Sequence, residues 1–403
     1  MEFKRFSEDI FEISHGGRDW LYLYKRNLLR PAERGLTPNE LNLEPFPRRP
    51  ITNKEWSLQT TPHLIIGVTS TCNLHCSYCH VSGGDFTDTL TEEMVGSIKK
   101  LLARALAEKP DTLKISFHSD GESLTKQKVM ESIMNFCDAI KGKTRVYYNI
   151  SSNGTLINDT NIDFIKRLSY VQVSMDGIPE LNDINRGSSA LVTKGIQTLI
   201  KAKVPVTIRA TLTQATLDSL KEFVDFMAEL VNPHSDDPLQ IGVGMVYEGE
   251  RELTEEMVTS GEDFLEKYLN AKAYAKTKNV ELSTAMEIVS LPGNGFCSAV
   301  GGTFFTPSGL VSSCTRASRS DSELADRFVY GKFNSETLNY DIDADKFNKL
   351  QELRNVPEDC EQCPALMLCG GSTCYVEKGP AHCYARSRLL LMNFIDKESE
   401  AYK

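Results

Sequence analysis

Residues 64–79 read LIIGVTSTCNLHCSYC, so a short apolar run leads directly into three closely spaced cysteines. An apolar run of this length predicts a buried parallel strand. Cys72, Cys76 and Cys79 follow where that strand would end, and open α/β sheets bind ligands at this edge. Three thiolates are one fewer than a four-iron cluster needs when every iron is bound by the protein. The stretch therefore predicts an iron–sulfur cluster with one iron left open for a small molecule.

The spacing Cys72-x3-Cys76-x2-Cys79, with the aromatic Tyr78 before the third cysteine, resembles the signature of radical S-adenosylmethionine (radical SAM) enzymes. The resemblance implies that the open iron chelates the amino and carboxylate groups of S-adenosylmethionine (SAM). It also implies that an electron from the cluster cleaves the sulfonium, giving a 5'-deoxyadenosyl radical that abstracts a hydrogen atom. The alternative interpretation is a zinc site or a set of reduced, buried thiols, although zinc sites favour Cys-x2-Cys pairs with a matching second pair.

Composition places the chain among soluble globular proteins. Its 403 residues are 40% hydrophobic and 25% charged, and this length predicts two or three domains. No stretch approaches the apolar length of a membrane span, and the N-terminus lacks a signal-peptide core, so we expect a cytoplasmic protein without a membrane partner. The 11 cysteines in such a chain favour metal ligation over disulfides. The formal charge of -10 argues against a nucleic-acid partner bound through a broad basic face.

Residues 1–61 form a distinct N-terminal segment in the sequence. The runs 10–13 and 20–24 predict two short strands joined around Gly16-Gly17, and a Pro-rich linker follows them. The hairpin either docks a peptide by strand addition or covers the core of the next domain.

Residues 62–284 alternate apolar runs with amphipathic stretches of helical period. The apolar runs are 64–68, 113–117, 146–150, 171–174, 206–212 and 241–246. Alternation of strand and helix forces crossover connections and a parallel sheet, so the predicted fold class is α/β. Six such units predict a partial (β/α)6, TIM-like barrel, which the resemblance also implies, and its lateral opening would admit a large substrate. Cys137 lies in a helical run and is predicted to be a core residue.

The segment Asp120-Gly121-Glu122-Ser123 follows the second predicted strand and resembles the Gly-Gly-Glu-Pro segment of radical SAM enzymes. The resemblance implies that Gly121 and Glu122 hold the amino group of SAM, and a glycine lets the backbone approach a ligand closely. A plain turn is the alternative interpretation. His118 and Asp85 are the candidate proton acceptors of the active site.

Small polar side chains also end the third and fourth predicted strands. The segments around Ser151, Asn153 and Ser174 resemble those that contact the ribose and the carboxylate of SAM. Arg186 is a candidate bidentate partner for the carboxylate. Each of these residues is otherwise a turn residue or a helix cap.

Residues 285–403 are rich in cysteine, and seven thiolates in a loop-rich region have no packing rationale. They are Cys297, Cys314, Cys360, Cys363, Cys369, Cys374 and Cys383. A zinc ribbon would need two Cys-x2-Cys pairs, and this run contains one. The arrangement resembles the SPASM extension of radical SAM enzymes, which carries two auxiliary four-iron clusters. The resemblance assigns one cluster to Cys360, Cys363, Cys369 and Cys383, and the other, whose fourth iron is open or takes a non-cysteine ligand, to Cys297, Cys314 and Cys374.

Radical SAM enzymes with this extension commonly modify peptides or proteins, so the resemblance implies a peptide maturase. We favour a ribosomally made precursor peptide as substrate and a crosslink as product, a carbon–carbon cyclophane first and a thioether second. The implied cofactors are SAM and three four-iron (4Fe-4S) clusters, of which the auxiliary pair would take up the surplus electron. A flavodoxin or ferredoxin is the expected reductant. Leader recognition, if present, would use the hairpin near Trp20 or a surface of the barrel.

Two other functions remain as alternatives. An anaerobic sulfatase-maturating enzyme oxidises a cysteine or serine to formylglycine, and the aspartate base that such enzymes carry directly after one cysteine is Thr315 here. A non-enzymatic, zinc-stabilised binding protein would use the barrel only as a scaffold. Iron and zinc contents of the anaerobically purified protein would separate this last hypothesis from the others.

Overall fold

The structure is a computed structural model that describes residues 1–45, 55–58, 61, 64–118, 120–231, 237–289, 301–350, 352, 356–371 and 379–402. Its strands are β1 (Glu2–Arg5), β2 (Ile10–His15), β3 (Arg18–Leu23), β4 (Leu28–Pro31), β5 (Leu64–Ile66), β6 (Thr112–Phe117), β7 (Arg145–Ser152), β8 (Tyr170–Ser174), β9 (Val206–Leu212), β10 (Leu239–Met245), β11 (Val280–Thr284), β12 (Thr303–Phe305), β13 (Leu310–Ser312), β14 (Val329–Asn334) and β15 (Asn339–Ile342). Its α-helices are α1 (Pro38–Leu41), α2 (Glu92–Ala107), α3 (Gln127–Ile140), α4 (Ile162–Ile165), α5 (Pro179–Asn185), α6 (Ser189–Lys201), α7 (Gln214–Asp218), α8 (Leu220–Val231), α9 (Gly261–Lys276), α10 (Ala325–Phe328), α11 (Ala344–Lys349), α12 (Glu358–Glu361), α13 (Leu366–Cys369) and α14 (Pro380–Ser399).

Strands β1 to β4 form an antiparallel sheet in chain order, which we call the N-terminal sheet. The predicted hairpin is β2 and β3, in which Ile13 lies opposite Trp20. Gly16 and Gly17 form its turn with φ of 64° and 74°, a left-handed backbone that glycine adopts without strain. The sequence did not predict β1 and β4, which flank the hairpin on either side.

The remaining strands form one large sheet. Its order is β11-β10-β9-β8-β7-β6-β5-β12-β13-β14-β15. Neighbours are parallel from β11 to β12 and antiparallel from β12 to β15. Each of the six predicted apolar runs contributes one of the strands β5 to β10, and β11 is a further parallel strand that the sequence did not reveal. An α/β fold with a parallel sheet is confirmed, and the partial barrel stays a prediction.

The two faces of the parallel sheet differ because side chains alternate along each strand. On β9, Ile208, Ala210 and Leu212 are buried in the same core as the apolar side chains of α8. The intervening positions are polar and half-buried, and with their neighbours on β8 and β10 they form what we call the polar face. Its members are Gln172, Ser174, Thr207, Arg209, Thr211 and Gln240. The polar face is therefore the one available to a ligand.

The sheet continues across the predicted domain boundary at residue 285. Strand β12 pairs with β5, with Thr303 beside Leu64, and β13 to β15 extend the sheet further. The cysteine-rich part of the chain thus shares a sheet with the parallel strands. The predicted closing helix over 386–395 is α14, which is longer and begins at Pro380, a residue suited to the first turn of a helix. Cys137 lies in α3 and is fully buried, as predicted.

The N-terminal sheet packs on the C-terminal part of the chain. Its buried aromatic side chains, including Trp20 and Tyr22, share one core with apolar residues of α13 and α14. The Tyr24 hydroxyl donates to the carbonyl of Glu361 at 2.9 Å. The hairpin therefore covers a core, but this core belongs to α13 and α14 and not, as the second predicted role had it, to the next region of the chain. Docking of a peptide by strand addition stays a prediction. Among the described residues, no helix is long and apolar enough to cross a bilayer.

Candidate active site

The loop after β5 carries Cys72, Cys76 and Cys79, all free cysteines that are partly exposed. Burial raises the pKa of the Cys72 and Cys76 thiols, and the charge of Cys79 acts in the same direction on both, because the three sulfurs are close neighbours. A metal centre bound here must therefore displace protons from the thiols. Within the described ranges, no three His, Cys, Asp or Glu side chains lie where they could hold one metal ion. A four-iron cluster makes a different demand, since each thiolate binds its own iron.

Two glycines let neighbouring segments approach the cysteine loop backbone to backbone. A Cβ atom at Gly121 would lie 2.3 Å from the carbonyl oxygen of Thr71, and one at Gly83 would lie 2.7 Å from that of Asp120 and 3.4 Å from the sulfur of Cys79. No side chain fits at either position. Gly121 thus approaches the cysteine loop closely, and its predicted contact with SAM stays a prediction. The loop carries three cysteine sulfurs and is flanked by glycines, which have no side chains. This arrangement fits a four-iron cluster with one open iron.

Glu122 is 2% exposed and holds the ends of β6 and β7 together. Its carboxylate accepts hydrogen bonds from the Asn153 backbone N–H at 2.6 Å and from the Ser152 hydroxyl at 3.0 Å, and also from the N–H of Leu124 at 3.0 Å. Burial raises the pKa of this carboxyl, and these donors oppose the rise. Both oxygens are already engaged, so the observed role is structural, and contact with an amino group stays a prediction.

Tyr78 anchors the cysteine loop to the strand ends beneath it. Its hydroxyl hydrogen-bonds the carboxylate of Asp176 and accepts from Arg186 Nη1 at 2.9 Å. Asp176 is fully buried and also accepts from the backbone N–H of Thr211 at 2.8 Å. Arg186 lies close enough to Cys76 for its charge to oppose the larger effect of burial on the pKa of that thiol. Arg186 is therefore at the cysteine loop, with one of its nitrogens already donating to Tyr78.

The other predicted contacts lie at the ends of β7 and β8. Asn153 donates to the side chain of Asn73 in the cysteine loop at 2.9 Å, whereas the Ser151 hydroxyl accepts from Gln172 at 3.1 Å on the polar face. Ser174 ends β8 and is half-buried. Asn153 thus reaches the cysteine loop, and Ser151 lies on the polar face beside Gln172.

Arg209 is a candidate that the sequence interpretation missed. It lies beside Ser174 in the register of β8 and β9. Its side chain covers Gly242 and Gly244 of β10, where a Cβ atom at Gly244 would lie 2.7 Å from Nη2. Among the described contacts, its guanidinium makes one long hydrogen bond, 3.5 Å to the carbonyl of Val243. The available signal was the alternation of polar and apolar residues over 206–212, which places Arg209 on the polar face.

Asp85 contacts two side chains, Arg251 and His75, that connect it to the cysteine loop. It accepts from Arg251 at 2.9 Å and lies 2.6 Å from His75 Nε2, and the hydrogen bond from Arg251 lowers the pKa of the carboxyl. A lowered pKa makes a weaker proton acceptor. Arg251 also donates to the carbonyls of Cys76 and Gly83. His118 directly follows β6 and is half-buried, and its role as a proton acceptor stays a prediction.

Four of the C-terminal cysteines lie together, and they are the four that the resemblance to the SPASM extension assigns to one cluster. Burial raises the pKa of Cys363 to about 11, and the charges of Cys369, Cys360 and Cys383 add to this effect. Cys360, Cys363 and Cys369 are partly buried against the core beneath the N-terminal sheet.

Of the other predicted set, Cys314 follows β13, and its N–H donates to the Ser312 hydroxyl at 3.1 Å. Cys297 and Cys374 lie outside the described residues.

Residues 248–251 link the Cys314 loop to the first cysteine loop. Arg316 donates to the carbonyl of Glu248 at 2.5 Å, and Arg319 donates to the carboxylate of Glu250 at 2.8 Å. The N–H of Glu250 donates to the carbonyl of His80, next to Cys79, at 3.3 Å. The two cysteine loops are thus connected through one short segment after β10.

Residues 66–227 match the family model described as the radical SAM superfamily. The chain is 33% identical over 172 residues to an uncharacterized protein of Methanocaldococcus jannaschii, an alignment that covers 41% of this chain and 58% of that protein. It is 26% identical over 167 residues to the sporulation killing factor maturation protein SkfB of Bacillus subtilis, an alignment that covers 39% of this chain and 37% of that protein. It is also 26% identical over 176 residues to a cysteine-type anaerobic sulfatase-maturating enzyme of Clostridium novyi, covering 40% and 46%. The chain therefore spans about half the length of these relatives.

Two solved structures share the fold over most of the chain. Native anSMEcpe with bound AdoMet superposes with a TM-score of 0.65 at 19% identity, covering 84% of this chain and 98% of that one. Streptococcus suis SuiB superposes with a TM-score of 0.57 at 16% identity, covering 94% and 98%. Residues 66–227 are therefore a radical SAM domain.

Proposed function

We propose that this protein is a radical SAM maturase that modifies a ribosomally made precursor peptide. The observation that carries the proposal is the loop of Cys72, Cys76 and Cys79, seated on the bare backbone at Gly121 and locked by Tyr78 to the strand ends. These thiolates would hold a four-iron cluster, which would supply, together with SAM, the radical chemistry that removes a hydrogen atom from the substrate. The chain itself binds, orients and encloses these groups.

The described residues divide this work between them. Arg251 holds the cysteine loop by the backbone carbonyl of Cys76, is itself paired with Asp85, and leaves the sulfurs to the metal. Ser174 and Arg209 lie side by side on the polar face and would receive a carboxylate, since a guanidinium with spare N–H groups favours such a partner. Arg186 would reach the same ligand from the other side of the loop.

The C-terminal cysteines would hold two auxiliary clusters. Cys360, Cys363, Cys369 and Cys383 lie together in the structure, which supports their assignment to one of them. Cys314 would serve the other with Cys297 and Cys374. Removing a hydrogen atom and then forming a crosslink leaves one surplus electron on the substrate, and these clusters would accept it. The bridge through residues 248–251 supports a close functional connection between the first loop and Cys314.

The peptide substrate rests on the relatives, of which one is named as a maturation protein of a killing factor. A carbon–carbon cyclophane is our first choice of product and a thioether the second. The relative named as a sulfatase-maturating enzyme favours formylglycine formation instead. Thr315 weakens this second candidate, because a threonine beside Cys314 cannot accept a proton as an aspartate would.

Mass spectrometry of a co-expressed candidate precursor peptide tests the proposal. A crosslink removes two hydrogen atoms from the peptide and keeps any sulfur, whereas formylglycine formation from cysteine replaces the thiol with an aldehyde oxygen. Tandem fragmentation then locates the bond. A peptide that returns unmodified, from a chain that binds zinc and no iron, would support the zinc-stabilised binding protein instead.

A further inference from the structure

Arg386 is an arginine buried on α14, with 1% of its surface exposed. Its Nε donates to the sulfur of Cys369 at 3.1 Å. Its Nη1 donates to the carbonyls of Ala285 and Met286 at 3.1 and 3.2 Å, and Nη2 donates to that of Ile288 at 2.9 Å. One guanidinium therefore joins a cysteine of the C-terminal set to the segment that follows β11.

The side chain brings a positive charge to the sulfur of Cys369, because a guanidinium stays protonated in proteins. Three of the four described acceptors are neutral carbonyls, and the Cys369 sulfur is the one of these four that can become an anion. A hydrogen bond between charged partners is stronger than one between neutral partners, so a thiolate bound to iron is a better acceptor here than a protonated thiol.

We propose that Arg386 is a positioning residue that raises the reduction potential of the cluster held by Cys360, Cys363, Cys369 and Cys383. The inference rests on the proposed function in one respect, that these four cysteines hold a cluster. Reduction adds one electron and one negative charge to the cluster, and it breaks no bond. A positive charge and an N–H···S hydrogen bond at a ligating sulfur stabilise that more negative state. The same contacts to residues 285–288 hold the cluster against the end of the sheet.

Arg388 provides a matched control two residues further along α14. Its guanidinium stacks on the ring of Tyr384 at 3.4 Å and lies 4.8 Å from that of Phe3. It donates to the carbonyl of Tyr384 at 3.4 Å. Arg388→Gln and Arg386→Gln therefore remove the same charge from the same helix. Only Arg386→Gln also removes the hydrogen bond to Cys369.

The test uses the full-length chain with the other two cluster sites disabled by Cys72→Ala, Cys76→Ala, Cys79→Ala and Cys314→Ala. Three variants are made in this background: Arg386→Gln, Arg386→Lys and Arg388→Gln. The background and the variants are loaded with iron and sulfide without oxygen, and their iron content is measured. A redox titration followed by EPR then gives the reduction potential of each. In Arg386→Gln we expect the ratio of reduced to oxidised cluster at a fixed potential to fall about tenfold, a shift of about 59 mV for one electron. The ratio in Arg386→Lys should lie between the ratios in the background and in Arg386→Gln. The ratio in Arg388→Gln should stay within about twofold of that in the background.

Three results would overturn the inference. The first is an Arg386→Gln chain with full iron and an unchanged potential. The second is an equal shift in Arg388→Gln, which would assign the effect to net charge alone. The third is loss of iron from both Arg386 variants but not from Arg388→Gln, which would make Arg386 a scaffold residue. Absence of iron from the background with Arg386 intact would instead refute the cluster assignment in the proposed function, and the inference with it.

Discussion

The two cysteine regions of this chain differ in how they are built. The first is one loop, residues 72–79, whose sulfurs are presented by a single turn of chain and whose arginine, Arg251, binds backbone carbonyls. The second gathers Cys360, Cys369 and Cys383 from α12, α13 and α14, with Cys363 between the first two of these helices. Its arginine, Arg386, binds the sulfur of Cys369. Under the proposed function, the comparison predicts a division of work, in which the first loop leaves one iron open to an exchangeable ligand and the second region binds every iron of its cluster through a thiolate.

The largest expected difference between the two regions is in SAM cleavage. Cys76→Ala should lower the formation of 5'-deoxyadenosine by about 10³-fold or more, because it removes a ligand of the open cluster. Cys363→Ala should keep that reaction within about tenfold while abolishing the modified peptide. Chromatography of the products after anaerobic reduction measures both effects. If Cys363→Ala stopped SAM cleavage as completely as Cys76→Ala, the division of work would be wrong.

Gly121→Ala tests the close packing that is specific to the first loop. The new Cβ would lie 2.3 Å from the carbonyl oxygen of Thr71, so we expect destabilisation by about 1–3 kcal/mol and loss of SAM binding. Gly96→Ala on α2 is the control, because no atom lies within 4 Å of the added methyl and alanine favours a helix by about 0.5–1 kcal/mol. Urea unfolding and a SAM titration measure the two properties. Equal stability of both variants would contradict the packing argument.

Arg251→Gln tests whether the first loop is held by its carbonyls. Losing the charged hydrogen bonds to Cys76, Gly83 and Asp85 should cost about 1.5 kcal/mol and speed the release of iron from this loop about tenfold. Arg167→Gln, which loses an ion pair of 3.0 Å with Asp138, removes the same charge from a site that makes no described contact with the loop. Release is followed with an iron chelator and absorbance. The same rate in both variants would show that Arg251 does not hold the loop.

Tyr24→Phe should have the smallest effect and should act on the second region alone. It removes the hydrogen bond to Glu361, next to Cys360, at a cost of about 1 kcal/mol. Ser14→Ala is the control, because it loses a hydrogen bond of 2.6 Å to Asp19 within the N-terminal sheet. Only Tyr24→Phe should speed iron release from the C-terminal cysteines, by about fivefold. A matching increase in Ser14→Ala would mean that the N-terminal sheet acts through its own stability.

The sequence predicted the parts of the fold that local patterns encode. The strands β5 to β10 were visible because fully buried parallel strands are continuous apolar runs, and the first cysteine loop was visible because its ligands are contiguous. Strand β11 was missed because Val280–Thr284 alternates apolar with polar residues at the end of a helical stretch. The sharing of one sheet across residue 285 depends on the pairing of β5 with β12, which are far apart in the chain.

Side-chain roles were harder to predict than positions. The sequence did not reveal Arg209 as a candidate, because the space for its side chain comes from two glycines on the neighbouring strand. The register that brings these residues together cannot be read from the sequence of either strand alone. Glu122 was assigned to a ligand, but three donors brought by the fold engage its oxygens. Arg386 lies in a plain helical run, and only the fold places it on Cys369.

The most direct test of the account is whether SAM binds at the loop of Cys72, Cys76 and Cys79. The chain, loaded with iron and sulfide and reduced without oxygen, is measured by EPR with and without SAM, beside the Cys76→Ala variant. We predict that SAM changes the spectrum of the unmodified chain and leaves that of Cys76→Ala unchanged. An iron-loaded chain whose spectrum does not respond to SAM would contradict the account.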